Sequence, residues 1–169
     1  MEGKWFKKEE LIKCYREKDG RCKDCTECAM KEAMKELPVC EGNAQELVKN
    51  ILDPLREAYG AKIICNSGYR CNRHNTNVGS KPSSQHRTAS AADITSGSPE
   101  ENLKLAKLIV KEIGTWDQMI LYVNDEKSLK PRFIHVSLKQ GFGNRRQILR
   151  KVNGKSTYES VNLGWLLRE

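Results

Sequence analysis

Between Asn43 and Gly60 the apolar residues Leu47, Val48, Ile51, Leu52, Leu55 and Tyr59 recur at the spacing of one helical face. The Asn43…Glu46 pair has the form of an N-cap with its reciprocal acid, and Gly60 supplies the stop. Pro54 lies inside the stripe and predicts a kink, because proline lacks the N–H and crowds the preceding turn. Beyond Gly60 the period changes. Lys62 to Cys65 is a short β-branched run, and Gln118 to Val123 and Arg132 to Leu138 are two more strand candidates. Between them Ser98-Pro99-Glu100-Glu101 opens another helix, with Leu105, Leu108, Ile109 and Ile113 on its buried face and Gly114 closing it. Helices first, then strands interrupted by one helix, predict an α+β fold in which a small antiparallel sheet packs with helices.

A chain of 169 residues is long enough for one domain with a real core. We divide it into an N-terminal helical annex, residues 1–42, and a main domain, residues 43–169. The annex holds two short predicted helices, Lys7 to Tyr15 and Ala29 to Leu37, and five of the seven cysteines: Cys14, Cys22, Cys25, Cys28 and Cys40. An odd number of cysteines cannot form a fully paired disulfide framework within one chain. The Cys22, Cys25, Cys28 spacing fits a thiolate metal site with Cys40 as a candidate fourth ligand, but free thiols on successive helical turns are the favoured reading. Residues 71–85 are rich in Asn, Gly, Ser and Pro and read as a long loop.

The net charge of +8 is confined to one end. Residues 1–42 and 43–126 each carry 10 basic and 10 acidic groups, whereas residues 127–169 carry 10 basic and 2 acidic. Such a basic region suits an anionic polymer, a cell wall or a nucleic acid, and it also suits a plain solvated face. No aromatic or helical readout element accompanies it, which weighs against nucleic acid. No apolar run approaches the ~18–20 residues of a membrane span. Charged residues follow Met1 to Phe6, so no secretory signal is read there, and the expected location is cytoplasmic synthesis with action elsewhere after release.

Chemistry rests on few residues. The three histidines are His74, His86 and His135. In Phe133-Ile134-His135-Val136-Ser137, strand alternation puts Ile134, Val136 and Leu138 on one face and His135 on the other. If the first face is the core, His135 points into a site. Ser84-Gln85-His86 is followed by Asp93 in Ala91-Ala92-Asp93-Ile94. Two imidazoles and one carboxylate make three protein ligands, the count that leaves a catalytic zinc one position for water. His74 reads as a surface residue.

These words occur in a fixed order: Ser67-Gly68-Tyr69-Arg70, Ser84-Gln85-His86-Arg87-Thr88-Ala89-Ser90-Ala91-Ala92-Asp93-Ile94, Asp117-Gln118-Met119-Ile120 and Phe133-Ile134-His135-Val136-Ser137. Together, with Ile51 to Gly60 before them and Asn144-Arg145 and Ile148-Leu149 after, they resemble the zinc D-Ala-D-Ala carboxypeptidase family, which includes D-Ala-D-Ala dipeptidases and phage endolysins. The resemblance covers about residues 43–150, and weakly Trp5 to Leu11. It implies a hedgehog-like fold, zinc held by His86, Asp93 and His135, and peptidoglycan peptides as substrate. It implies that Arg70 stabilises charge on the scissile carbonyl oxygen and that Ser84 and Gln85 line the substrate groove. Within that family, the basic charge and the lack of a readable leader lean toward a phage- or prophage-type lysin acting at the cell wall.

Two positions depart from the family pattern. Ala89 stands where the family has glycine, which is tolerable unless the backbone needs positive φ. Tyr122 stands where many relatives have the glutamate that serves as general base. Tyr122, Asp125 or Glu126 in the 123–131 segment, or the metal-bound water alone, are the candidates for that task. Three functions follow: a zinc peptidase of the cell wall, an inactive zinc-containing wall-binding module of the same fold, and a basic nucleic-acid-binding protein with a Cys-rich metal site.

Overall fold

In the computed structural model, which describes residues 3–7, 10–11 and 39–168, the apolar stripe of residues 47–59 lies on a long helical element. Helix α1 (Val39–Leu47) runs into a π-helical turn (Val48–Leu52) and on into α2 (Asp53–Tyr59). Leu47, Ile51, Leu52 and Leu55 are wholly buried. The irregularity expected at Pro54 is this π turn. Proline in the first turn of α2 offers no N–H to the turn before it, and the widened ladder takes up the mismatch. Gly60 ends α2 at φ 70°, its N–H donating to Arg56 O at 3.1 Å. One expectation fails here. Asn43 is not an N-cap, because α1 already begins at Val39; its Nδ2 instead donates to Thr88 O at 2.8 Å.

The remaining elements are β1 (Ile64–Ser67), α3 (Asn72–Asn77), a 3-10 turn (Gln85–Thr88), β2 (Ala91–Thr95) and α4 (Pro99–Glu112). After them come β3 (Gln118–Val123), β4 (Phe133–Ser137), β5 (Gln147–Val152), β6 (Glu159–Ser160) and α5 (Leu163–Arg168). Helix α4 starts as read from the sequence: Ser98 accepts from Glu101 N at 3.2 Å, with Pro99 in the first turn. The expected loop of residues 71–85 is partly helical. Cys71 caps α3 by accepting from His74 N at 3.4 Å, a role for a thiol that turn-rich composition does not reveal.

The strands form a six-stranded sheet in the order β1-β2-β4-β3-β5-β6. One face carries Ile94, Ile134, Val136, Met119 and Leu121 into a core shared with Ile51, Leu55, Leu105 and Ile109. Phe6 and Leu11 join this core, and Lys4 N and Trp5 N donate to the Asp53 carboxylate, so these N-terminal residues pack on the main body. The predicted helix at Ala29 to Leu37 and most of that at Lys7 to Tyr15 lie outside the described residues.

The sheet is mixed and not antiparallel: β5 pairs parallel to β3. The reason lies at residue 117. The chain leaving β4 must cross the end of β3 before β5 begins. Asp117 accepts from Arg145 N at 3.1 Å and from the Arg145 guanidinium at 2.9 and 2.6 Å, while its O accepts from Gln147 N at 3.0 Å. Arg146 N donates to Trp116 O at 3.3 Å. A buried carboxylate thus ties the crossover down and sets β5 beside β3.

Candidate metal centre

The register of the sheet lays the second face out as rows. Asp93 on β2 opposes His135 on β4, which opposes Ile120 on β3, which opposes Leu149 on β5. On one side of that row stand Ser137, Gln118 and Gln147; on the other stand Phe133, Tyr122 and Lys151. These rows floor a cleft of about 1100 Å³. His86 reaches it from the 3-10 turn ahead of β2. Two local features place that imidazole. Ala89 ends the turn at φ 56°, ψ 24°, in the left-handed region, so the position does require positive φ and the methyl there carries strain of about 1–2 kcal/mol. Gly68 packs against the backbone of Leu11, where a Cβ would sit 1.9 Å from Leu11 O; its own carbonyl accepts from His86 Nδ1 at 2.6 Å.

That bond decides the tautomer of His86. A carbonyl oxygen only accepts, so Nδ1 carries the proton and Nε2 keeps its lone pair. His86 Nε2, His135 Nδ1 and Asp93 Oδ1 then form a triangle with edges of 3.2, 3.1 and 3.0 Å. Tetrahedral zinc with bonds of about 2.0–2.1 Å holds its donors roughly 3.3–3.4 Å apart, so the triangle has the dimensions of a metal site. Its chemistry agrees. Two imidazoles and a carboxylate converge in a buried place beside the cleft, and these residues fit a zinc ion.

The charges are arranged to keep the donors available. Burial pushes the His86 imidazolium pKa below its ordinary value, against the pull of Asp93, so the ring is kept neutral. Burial opposes ionisation of Asp93, but the two imidazoles and Arg70 outweigh it and hold its pKa well below the ordinary value. Arg70 Nη2 pairs with Asp93 Oδ2; its Nε donates to Ser67 Oγ at 2.8 Å and its Nη1 to Ser80 Oγ at 3.3 Å. The Asp93 oxygens are therefore divided, one facing the imidazoles and one neutralised by the guanidinium.

Ser84, Gln85, Arg70 and Tyr122 all line the cleft. Gln85 Nε2 donates to Asp117 Oδ2 at 3.0 Å, which links the His86 turn to the crossover. Tyr122 stacks on Phe133, ring centroids 4.4 Å apart. Burial above all, then the Asp93 charge and Tyr158, hold the phenol well above its ordinary pKa. His74 is buried in the cleft wall and is not a surface residue. Asp125 and Glu126 are not among the lining residues: Asp125 accepts from Lys127 N at 2.9 Å, and Glu126 pairs with Lys155. Cys65 and Cys71 are buried free thiols, Cys40 is buried, and Cys14, Cys22, Cys25 and Cys28 lie outside the described residues. The sequence reading gave no role to Asp117, Tyr158 or Lys151. Asp117 stood within a quoted motif; the other two carry no local signal.

No curated protein matches the chain. A family model described as Peptidase M15 matches residues 4–137, a span that takes in His86, Asp93 and His135 and begins beside the Trp5-to-Leu11 segment. That match covers most of the chain, and with it the ordered motifs stop being a resemblance: the chain belongs to the Peptidase M15 family, the family of zinc D-Ala-D-Ala carboxypeptidases.

Proposed function

We propose that this protein hydrolyses peptide bonds in the stem peptides of bacterial peptidoglycan, with zinc held by His86, Asp93 and His135. The observation that carries the reading is the triangle of three potential ligand atoms on the floor of a large open cleft. Bound zinc supplies a Lewis acid that polarises the scissile carbonyl and lowers the pKa of water. The chain's own residues do the rest. Gly68 O fixes the His86 tautomer, Arg70 orients Asp93 and adds positive charge beside the developing oxyanion, and Ser84 and Gln85 hold the peptide. Tyr122, kept as a neutral phenol by burial, donates a hydrogen bond to the reacting oxygen.

The same reading includes a hedgehog-like, DD-peptidase-like fold, an annex of residues 1–42 before a peptidase unit of residues 43–169, and a lysin-like role at the wall. The basic residues 127–169 suit an anionic wall polymer as partner. Among the described residues no helix is long and apolar enough to cross a membrane.

One observation favours a second reading, an inactive wall-binding module. Asp93 and Asp117 are the acids among the described lining residues, and both are already engaged. Zinc-loaded protein incubated with purified peptidoglycan, followed by mass analysis of released peptides, separates the two. Defined fragments, lost in His135→Ala, support the peptidase. Retention of stoichiometric zinc with no fragment from any wall or D-Ala-D-Ala peptide sinks it in favour of the module. If fragments appear, Tyr122→Phe should slow their release by about 10–100-fold, while Asp125→Asn and Glu126→Gln should not.

A further inference from the structure

The far wall of the cleft lies beyond the family match, which ends at residue 137. Lys139, Arg145, Leu149, Lys151, Ser156 and Tyr158 form it. Among the described residues five cations line the cleft against two carboxylates. Arg70 is paired with Asp93 and Arg145 with Asp117, and among the described residues no carboxylate pairs with Lys81, Lys139 or Lys151. On β5 the contrast is sharp. Arg150 faces away from the cleft and has Glu159 as its partner, whereas Lys151, facing the cleft, has none. Its position is nonetheless defined. Lys151 is the cross-strand neighbour of Tyr122, and its Nζ stands 4.7 Å over the Tyr158 ring and 3.5 Å from the Tyr158 hydroxyl.

From the structure we infer that Lys151, steadied by Tyr158, receives a carboxylate of the substrate two or three residues from the bond that is cut, so that the cleft selects acidic peptides. The inference rests on the peptidase reading and names its substrate class. Lys151 stands two strand spacings across and two residues along from His135, about 12 Å between backbones; an extended peptide covers most of that in roughly three residues at about 3.3 Å each, and the lysine side chain spans the remainder. The unpaired lysines at the rim draw the same charge toward the cleft and reject basic peptides.

The test uses two peptides of one sequence, differing only in whether the carboxyl two or three residues from the scissile bond is free or amidated. With zinc-loaded wild type, kcat/KM should be about 5- to 20-fold higher for the free acid, chiefly through KM. In Lys151→Met the ratio should fall below about 2-fold with zinc content and Tm unchanged, while Lys155→Met, altered on the exposed surface, keeps the wild-type ratio. A wild-type ratio near one overturns the inference and leaves the peptidase reading intact, as does a full ratio in Lys151→Met. If neither peptide is cut, calorimetric binding of the same pair decides: preference for the acid that vanishes in Lys151→Met supports the subsite without turnover, and equal binding removes it.

Discussion

Two buried carboxylates in one cleft, Asp93 and Asp117, each hold an arginine and yet have different characters. Asp117 is met by donors alone: the Arg145 guanidinium, Arg145 N and Gln85 Nε2. Its lone pairs are satisfied, and its work is to bind a crossover to a strand end. Asp93 gives one oxygen to Arg70 and turns the other toward two imidazoles, one of which offers a lone pair by the constraint of Gly68. The same residue type beside the same partner becomes a strut where donors surround it. Where an imidazole lone pair faces it instead, the arrangement suits a cation.

Removing a corner of the acceptor set should produce the largest effect. Asp93→Ala and His135→Ala should each bring zinc from about one per chain to a small fraction, with peptide release abolished. Asp117→Asn should leave zinc in place. Metal analysis that finds unchanged zinc in both Asp93→Ala and His135→Ala would falsify the division. Zinc left in only one of them requires repeating the measurement without Cys22, Cys25 and Cys28.

Arg70→Lys sharpens the comparison within the metal corner. Lysine keeps the charge but cannot contact Asp93, Ser67 and Ser80 together as the planar guanidinium does. Zinc should stay bound while turnover falls about 100–1000-fold. A wild-type rate would reduce Arg70 to a packing role.

At the other corner the loss should appear as stability. Asp117→Asn removes the charge and turns one of the two accepting oxygens into an amide donor set against the Arg145 or Gln85 donors, at a cost of about 1–3 kcal/mol by denaturant unfolding. The pH dependence has a definite sign. The Arg145 guanidinium, outweighing burial, holds the Asp117 pKa below its ordinary value. Its contribution is therefore complete above the unfolded carboxyl pKa of about 4 and is lost as pH falls through the lower folded value. Wild type should lose stability across that acid window, and Asp117→Asn should lose less. Identical acid limbs would remove Asp117 from the role of strut.

The smallest effect is expected on the turn that carries His86. Ala89→Gly relieves left-handed strain of about 1–2 kcal/mol. Against this stand greater freedom of the unfolded chain, about 0.4–1 kcal/mol, and loss of a methyl packed with Tyr69 and Cys71. Thermal unfolding should shift by less than about 1 kcal/mol, with zinc retained. Ala89→Val, bulky and β-branched at positive φ, should destabilise by more than that. Equal stability for valine and alanine would show that the turn relaxes freely.

The sequence was most legible where a pattern is local. Period fixed the buried stripe from Leu47 to Leu55 and the strands at Gln118–Val123 and Phe133–Ser137; capping chemistry fixed the start of α4. Alternation in Phe133 to Leu138 already turned His135 away from the core, and the ordered motifs brought His86 and Asp93 to its side. Asn43 misled because its capping pattern sits inside a helix already formed at Val39, where its side chain bonds Thr88 O instead. His74 misled because the polar stretch around it folds into a short helix packed in the cleft wall. The parallel pairing of β5 depends on Asp117 meeting Arg145 across 28 residues, the strain at Ala89 on the turn that seats His86, and the Lys151–Tyr158 wall on a register set by that crossover. Much of the secondary structure, and the three residues that converge as candidate ligands, were readable from the chain because local patterns mark them. Register, tautomer and the pairing of charges were decided only in the tertiary structure, because each depends on which distant group the folded backbone brings within hydrogen-bonding distance.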